Sequence, residues 1–105
     1  MSEVARYGKM VAQAGKGAEL ADLMLAVAES QEADPGCLLY LLNRQADDPD
    51  TLWVTELWRS QADLDASIEG LEGDEQVARV RALVADGGMI ELDLLGGKGP
   101  IERRG

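Results

Sequence analysis

Histidine and phenylalanine are absent from this 105-residue chain, and cysteine occurs once. Each absence removes a class of function. Without histidine there is no His-based catalytic triad and no imidazole metal site. Cys37 alone can form neither an internal disulfide nor a thiolate metal cluster, and with no imidazole to pair with it makes a poor catalytic thiolate. Bases are scarce too: 10 Lys and Arg stand against 20 Asp and Glu, for a formal charge of -10. That balance repels a phosphate backbone, which argues against nucleic acid, and it disfavours anionic membrane surfaces. No apolar stretch approaches membrane-spanning length. The opening MSEVARYGK lacks the basic-then-apolar order of a signal peptide, so the expected location is cytoplasmic.

What remains is an ordinary globular composition, 46% hydrophobic but only 4% aromatic, so Ala, Val, Leu, Ile and Met must fill most of the core. The length suits one domain over residues 1–95, followed by a flexible tail, GGKGPIERRG, over 96–105. VARYGKMVAQ, residues 4–13, is β-compatible and stops at Gly15 and Gly17. Leu20, Leu23, Met24 and Val27 then recur at helical spacing until Asp34-Pro35-Gly36. CLLYLLNR, residues 37–44, is an apolar run of the kind buried on both faces. The turn QADDPD joins it to LWVTELW as an antiparallel hairpin. Ser60, three residues before Asp63, is a workable N-cap for a helix with Leu64, Ile68 and Leu71 on one side. Gly70 and Gly73 interrupt it, and a second helical piece resumes at Asp74 with Val77, Val80 and Val84 inward. Gly87-Gly88 is expected to close that piece before a last strand, MIELDLL, residues 89–95.

The order β-α-β-β-α-β predicts an α+β, ferredoxin-like fold: a four-stranded antiparallel sheet with its helices on one face. The strands nevertheless look apolar on both faces. Tyr40 and Leu42 alternate with Leu39 and Leu41, and Ile90, Leu92 and Leu94 alternate with Met89 and Leu95. An uncovered apolar sheet in so small a chain predicts a homodimer, packed sheet on sheet.

PGCLLYLLNRQADDPDTLWVTELWRSQADLDASIE, residues 35–69, resembles the antibiotic biosynthesis monooxygenase (ABM) domain family. The resemblance is carried by the PGC turn entering strand two and by the Asp-Pro-rich hairpin. Glu56 and Trp58 at the end of strand three, and the helix from Ser60 through Leu64, Asp65 and Ala66, extend it; with the flanking elements it covers roughly residues 4–95. It implies a dimeric α/β barrel with a pocket in each protomer between sheet and helices. It also implies cofactor-independent oxygenation of a phenol or quinol, in which the electron-rich ring reacts directly with dioxygen. The protein then supplies a dry cavity, a proton acceptor and hydrogen bonds. Many members carry a histidine where this chain has Ser67, and the haem-degrading branch needs another further along. Haem degradation through a histidine ligand is therefore excluded.

Both tryptophans lie in one stretch, TLWVTELWRS, around Glu56. Strand alternation sets Val54, Glu56 and Trp58 on one face and Trp53, Thr55 and Leu57 on the other. Glu56 is either a desolvated pocket carboxylate beside Trp58 or the partner of a cross-strand base such as Arg6, Lys9 or Arg44. Tyr40, Asn43 and Arg44 offer donors to a quinone or phenolate oxygen, or else form a solvated hairpin end. Tyr7 is placed for pocket wall or core, and Ser67 for a cavity mouth or a helix surface. AGKG (14–17) and GGKG (96–99) lack phosphate-loop spacing, and Pro49 breaks any calcium pattern through Asp47, Asp48 and Asp50, so all three read as turns. Met10, Met24 and Met89 read as core fillers.

The expectation is thus a cofactor-independent monooxygenase acting on a small aromatic molecule, with Glu56 catalytic and no metal. Tyr7, Tyr40, Asn43, Arg44, Trp58 and Ser67 are the candidate substrate-binding residues. The alternative is a non-catalytic binding or assembly module on the same dimeric scaffold.

Overall fold

In the computed structural model, residues 3–99 are described. Strand β1 (Val4–Ala12) leads to helix α1 (Gly17–Ser30) and a short 3-10 turn, Gln31–Ala33. Strands β2 (Cys37–Arg44) and β3 (Thr51–Trp58) form the expected hairpin. Two short helices follow, α2 (Gln61–Glu69) and α3 (Glu75–Leu83), and β4 (Val84–Asp93) ends the sheet. The sheet order is β2-β3-β1-β4 with every neighbour antiparallel, which is the ferredoxin-like α+β arrangement. Among the described residues, no helix is long and apolar enough to cross a membrane.

The local chemistry explains the boundaries. Ser60 caps α2 by accepting from the Asp63 amide at 3.1 Å, while its hydroxyl donates to Asp63 Oδ2 at 2.7 Å. That reciprocal pair satisfies an otherwise orphaned donor at the helix start. Asp74 caps α3 in the same way, accepting from Gln76 and Val77. The glycine-rich loop before α1 does hold an anion, supplied by the chain itself. The Gly15 and Gly17 amides donate to the Asp50 carboxylate at 3.0 and 2.9 Å, locking the hairpin turn onto the start of α1. Asp48 is also consumed within the turn, accepting from the Thr51 hydroxyl and the Asp50 amide.

Two expectations need correction. Val84 is not an inward helical residue, because its backbone is already extended and begins β4. Gly87 and Gly88 do not close a helix either; they lie inside β4, paired with Met10 and Lys9. Gly87 has φ +145°, and a Cβ there would run into the Lys9 carbonyl, so the glycine permits the close approach of β4 to β1.

The core sits between the helices and one sheet face, built from Ala12, Leu20, Ala21, Met24, Leu52, Val54 and Val80. The other face carries Tyr7, Leu41, Ile90 and Leu92, which are 40%, 46%, 57% and 43% exposed. Strand β2 is therefore not buried on both sides within one chain. Residues 94–99 have no regular structure, and Leu94 with residues 96–99 lines a groove of about 280 Å³ beside Ala5, Leu39, Thr55 and Leu57. The rest of the expected tail lies outside the described residues.

Candidate functional site

The cross-strand register assembles the site. Glu56 on the interior strand β3 lies opposite Tyr40 of β2 on one side and Arg6 of β1 on the other. Arg6 in turn lies opposite Glu91 of β4. Directly opposed residues share a face, so a polar row, Tyr40–Glu56–Arg6–Glu91, crosses the helix-covered side of the sheet. Glu56 is only 5% exposed. Its Oε1 accepts from Trp58 Nε1 at 2.8 Å and lies 3.6 Å from Arg6 Nη1. Trp58 is two residues further along β3, hence on the same face, and it too is buried. Both contacts fall on one carboxylate oxygen.

Above this row lies a cavity of about 330 Å³, closed by side chains from all three helices. Met10, Met24, Val54, Leu64, Val77, Val80 and Met89 supply its apolar wall. Arg6, Tyr40, Glu56, Trp58 and Ser67 are its polar points, with Gln31 and Arg81. The volume falls at the small end of the range for ligand pockets, and an apolar lining with a few convergent polar groups is their usual chemistry. Burial, with a smaller contribution from the negative charge of Glu56, pushes the Tyr40 phenol well above its ordinary range. Tyr40 therefore stays a neutral hydroxyl, able to donate. Cys37 behaves alike: burial first, then Glu56, raises its thiol from 9.0 to about 11, so no thiolate forms at neutral pH. Among the described residues no three His, Cys, Asp or Glu side chains are grouped to hold a metal ion.

Of the candidate residues, the fold brings Glu56, Tyr40, Trp58 and Ser67 together around the cavity. The others lie elsewhere. Tyr7 is on the opposite face, where its ring stacks on Trp53 with centroids 5.4 Å apart. Asn43 pairs with Trp53 on that same open face and is exposed. Arg44 has the correct parity but sits exposed at the end of β2, away from the cavity lining. The pairing of Glu56 with a cross-strand base does occur, and the base is Arg6. Gln31 and Arg81 were missed as lining residues. Arg81 had a signal, standing four residues after Val77 and hence on the same face of its helix. The three methionines are wall as well as filling.

The fold is a small α+β domain enclosing an apolar cavity with a buried carboxylate at its floor. Comparison with known proteins refines that class. Residues 4–69 match the antibiotic biosynthesis monooxygenase family, and the chain belongs to it. A crystal structure of an antibiotic biosynthesis monooxygenase-type protein from Chloroflexus aurantiacus J-10-fl is 31% identical, covering 93% of this chain and 98% of that one, with a TM-score of 0.79. A second, from Deinococcus radiodurans, is 23% identical with a TM-score of 0.72, covering 97% and 99% of the two chains. A variant of SnoaB, a cofactor-independent oxygenase from Streptomyces nogalater, shares the fold at a TM-score of 0.80 and 15% identity, covering 92% and 97%. A search of curated proteins finds no match.

Proposed function

We propose that the chain is a cofactor-independent monooxygenase that oxidises a phenol, quinol or anthrone. The observation that carries this reading is the buried polar row on the floor of a largely apolar cavity: Glu56, Tyr40 and Arg6, with Trp58 beside them. Glu56, held through Oε1, presents Oε2 as the proton acceptor. It takes the acidic proton of the bound ring system and leaves an electron-rich enolate or phenolate. Arg6 and the neutral Tyr40 hydroxyl stabilise the resulting oxyanion. The carbanion-like ring carbon then gives its electrons to dioxygen. A carbon–oxygen bond forms, and the peroxide takes up a proton. Loss of water, with a second carbon-bound proton leaving, breaks the oxygen–oxygen bond. For an anthrone, a methylene carbon and one dioxygen become a carbonyl and one water.

The working unit in this proposal is a cytoplasmic homodimer. The sheet face that gathers the exposed apolar side chains Tyr7, Leu41, Ile90 and Leu92 supports it, since contiguous exposed apolar surface commonly marks a site of association. The Arg6–Glu56 pair also suits a second reading, in which the row is structural and the chain is a silent binding or assembly module.

Oxygen uptake with a panel of anthrones and quinols, run beside Glu56→Gln, separates the two. The enzyme reading expects uptake above autoxidation, reduced by roughly a hundredfold or more in the variant, as loss of a general base typically gives. No uptake with any substrate favours the silent module. Uptake that Glu56→Gln leaves intact removes Glu56 as the base.

A further inference from the structure

We infer that the cavity takes an aromatic acid: a ring with a hydroxyl or other acidic position at the Glu56 end and a carboxylate bound by Arg81. The inference deepens the proposed function, resting on its reading of the cavity as a ligand site but not on the oxygenation. Its basis is a local reversal of charge. The whole chain carries -10, yet the fixed charges on the cavity wall are Arg6, Arg81 and a single carboxylate, Glu56.

These charges are not equivalent. Arg6 is matched, lying 3.6 Å from Glu56 and opposite Glu91. Arg81, on the last turn of α3, is in no ion pair among the described residues. It is also at the open end. Glu56, Trp58 and Leu64 are buried, whereas Arg81 and Ile68 line the same cavity from exposed positions. The cavity therefore runs from a matched polar floor, past apolar walls, to one uncompensated cation. A ligand complementary to that sequence is flat and apolar in the middle, neutral and acidic-protonated at the inner end, and anionic at the outer end. A guanidinium presents paired donors that fit a carboxylate in two parallel hydrogen bonds, which a neutral group cannot match. Because the rest of the surface repels anions, selectivity for the acid must come from this one contact rather than from the overall field.

The test is equilibrium binding by isothermal titration calorimetry with 6-hydroxy-2-naphthoate and its neutral amide, 6-hydroxy-2-naphthamide. We expect the acid to bind about fivefold more tightly than the amide, the scale of a partly exposed charge-assisted contact. Arg81→Gln should abolish the preference by bringing the acid down to the affinity of the amide, and raising sodium chloride from roughly 20 to roughly 500 mM should shrink it in the parent protein. Arg81 is exposed, so the substitution leaves the core intact, and Arg81→Lys should retain part of the preference. Equal binding of acid and amide overturns the inference, as does a preference that survives Arg81→Gln. Failure of both probes to bind overturns it together with the ligand-site reading. Acid-selective binding without oxygen uptake from any substrate sustains this inference and removes the oxygenase.

Discussion

Replacing Glu56 by Gln tests whether the buried ion pair is coupled or merely adjacent. At the observed 3.6 Å, Coulomb attraction is about 5 kcal/mol at an effective dielectric of 20. Desolvation offsets most of it, because the Glu56 and Arg6 side chains are only 7% and 22% exposed. Glu56→Gln keeps an acceptor for Trp58 Nε1 but weakens that bond and strands the Arg6 charge, for an expected loss of about 2 kcal/mol. Arg6→Gln leaves the more deeply buried charge unpaired and should lose about 3 kcal/mol. In the double variant no charge is left unpaired, so it should be less destabilised than the sum, with a coupling energy of about 2 kcal/mol. Urea denaturation followed by far-UV circular dichroism, at one protein concentration, measures the cycle; tryptophan fluorescence is unsuitable because Trp58 itself contacts Glu56. For a domain of this size, the single Glu56 substitution should also lower Tm by about 10 °C. Additivity of the two single variants within about 0.5 kcal/mol would refute the reasoning, since contacting charges would then be energetically independent.

Other outcomes follow from the same geometry. Gly17→Ala places a Cβ against the Pro49 carbonyl oxygen and the Asp50 side chain that caps the Gly15 and Gly17 amides, and should lose about 2 kcal/mol in urea denaturation. Asp50→Ala, which removes both capping bonds without a clash, should lose a similar amount. Stability should be level up to pH 9 and fall as pH rises towards 11, because the folded state holds the Cys37 thiol at about 11 against an ordinary 9.0. The unfolded chain releases that proton first, so high pH favours it. Tyr40, raised in the same sense, extends the loss above pH 10, so Cys37→Ser should flatten the segment from 9 to 10 and leave a shallower fall above it in a pH series of denaturation midpoints.

Much of this arrangement is legible in the chain. The apolar run at Cys37–Arg44, its Asp-Pro turn, and the Ser60 and Asp74 caps fix element ends through local chemistry alone. Glu56 and Trp58 share a face by simple alternation. What alternation leaves open is which face of each strand meets the helices. On β1 it separates Arg6 from Tyr7, and only the pairing of Arg6 with Glu56 decides that the arginine lines the cavity and the tyrosine does not. Asn43 could have been rejected earlier: three residues from Tyr40 on a regular strand, it cannot share its face. The Gly87-Gly88 pair misled because glycines end helices as readily as they admit close strand contact, and the Lys9 carbonyl that decides the matter is about 80 residues away in sequence.

The absence of clean polar–apolar alternation in the strands is what the two proposed roles of the sheet would require. Its inner face carries charge where a lone sheet would be greasiest, and the register makes that tolerable. Glu56 occurs at the one row where β1 offers an arginine and β2 a hydroxyl, so its burial is offset from both sides. Its outer face carries the reverse anomaly. Tyr7 stacks on Trp53, Lys9 lies 5.9 Å above the same indole, and Ile90 and Leu92 continue the apolar surface without cover. A sequence selected only for a stable solitary domain would exchange these preferences, keeping the charge outside and the aromatics within. In the proposed reading the inner departure serves a ligand and the outer one a second copy of the chain. They also make the two proposals separable. Tyr7→Ser together with Ile90→Ser should shift the protein towards monomer in light scattering while leaving the Glu56–Arg6 coupling within about 0.5 kcal/mol of its parent value, because the two sets of side chains lie on opposite faces of the sheet.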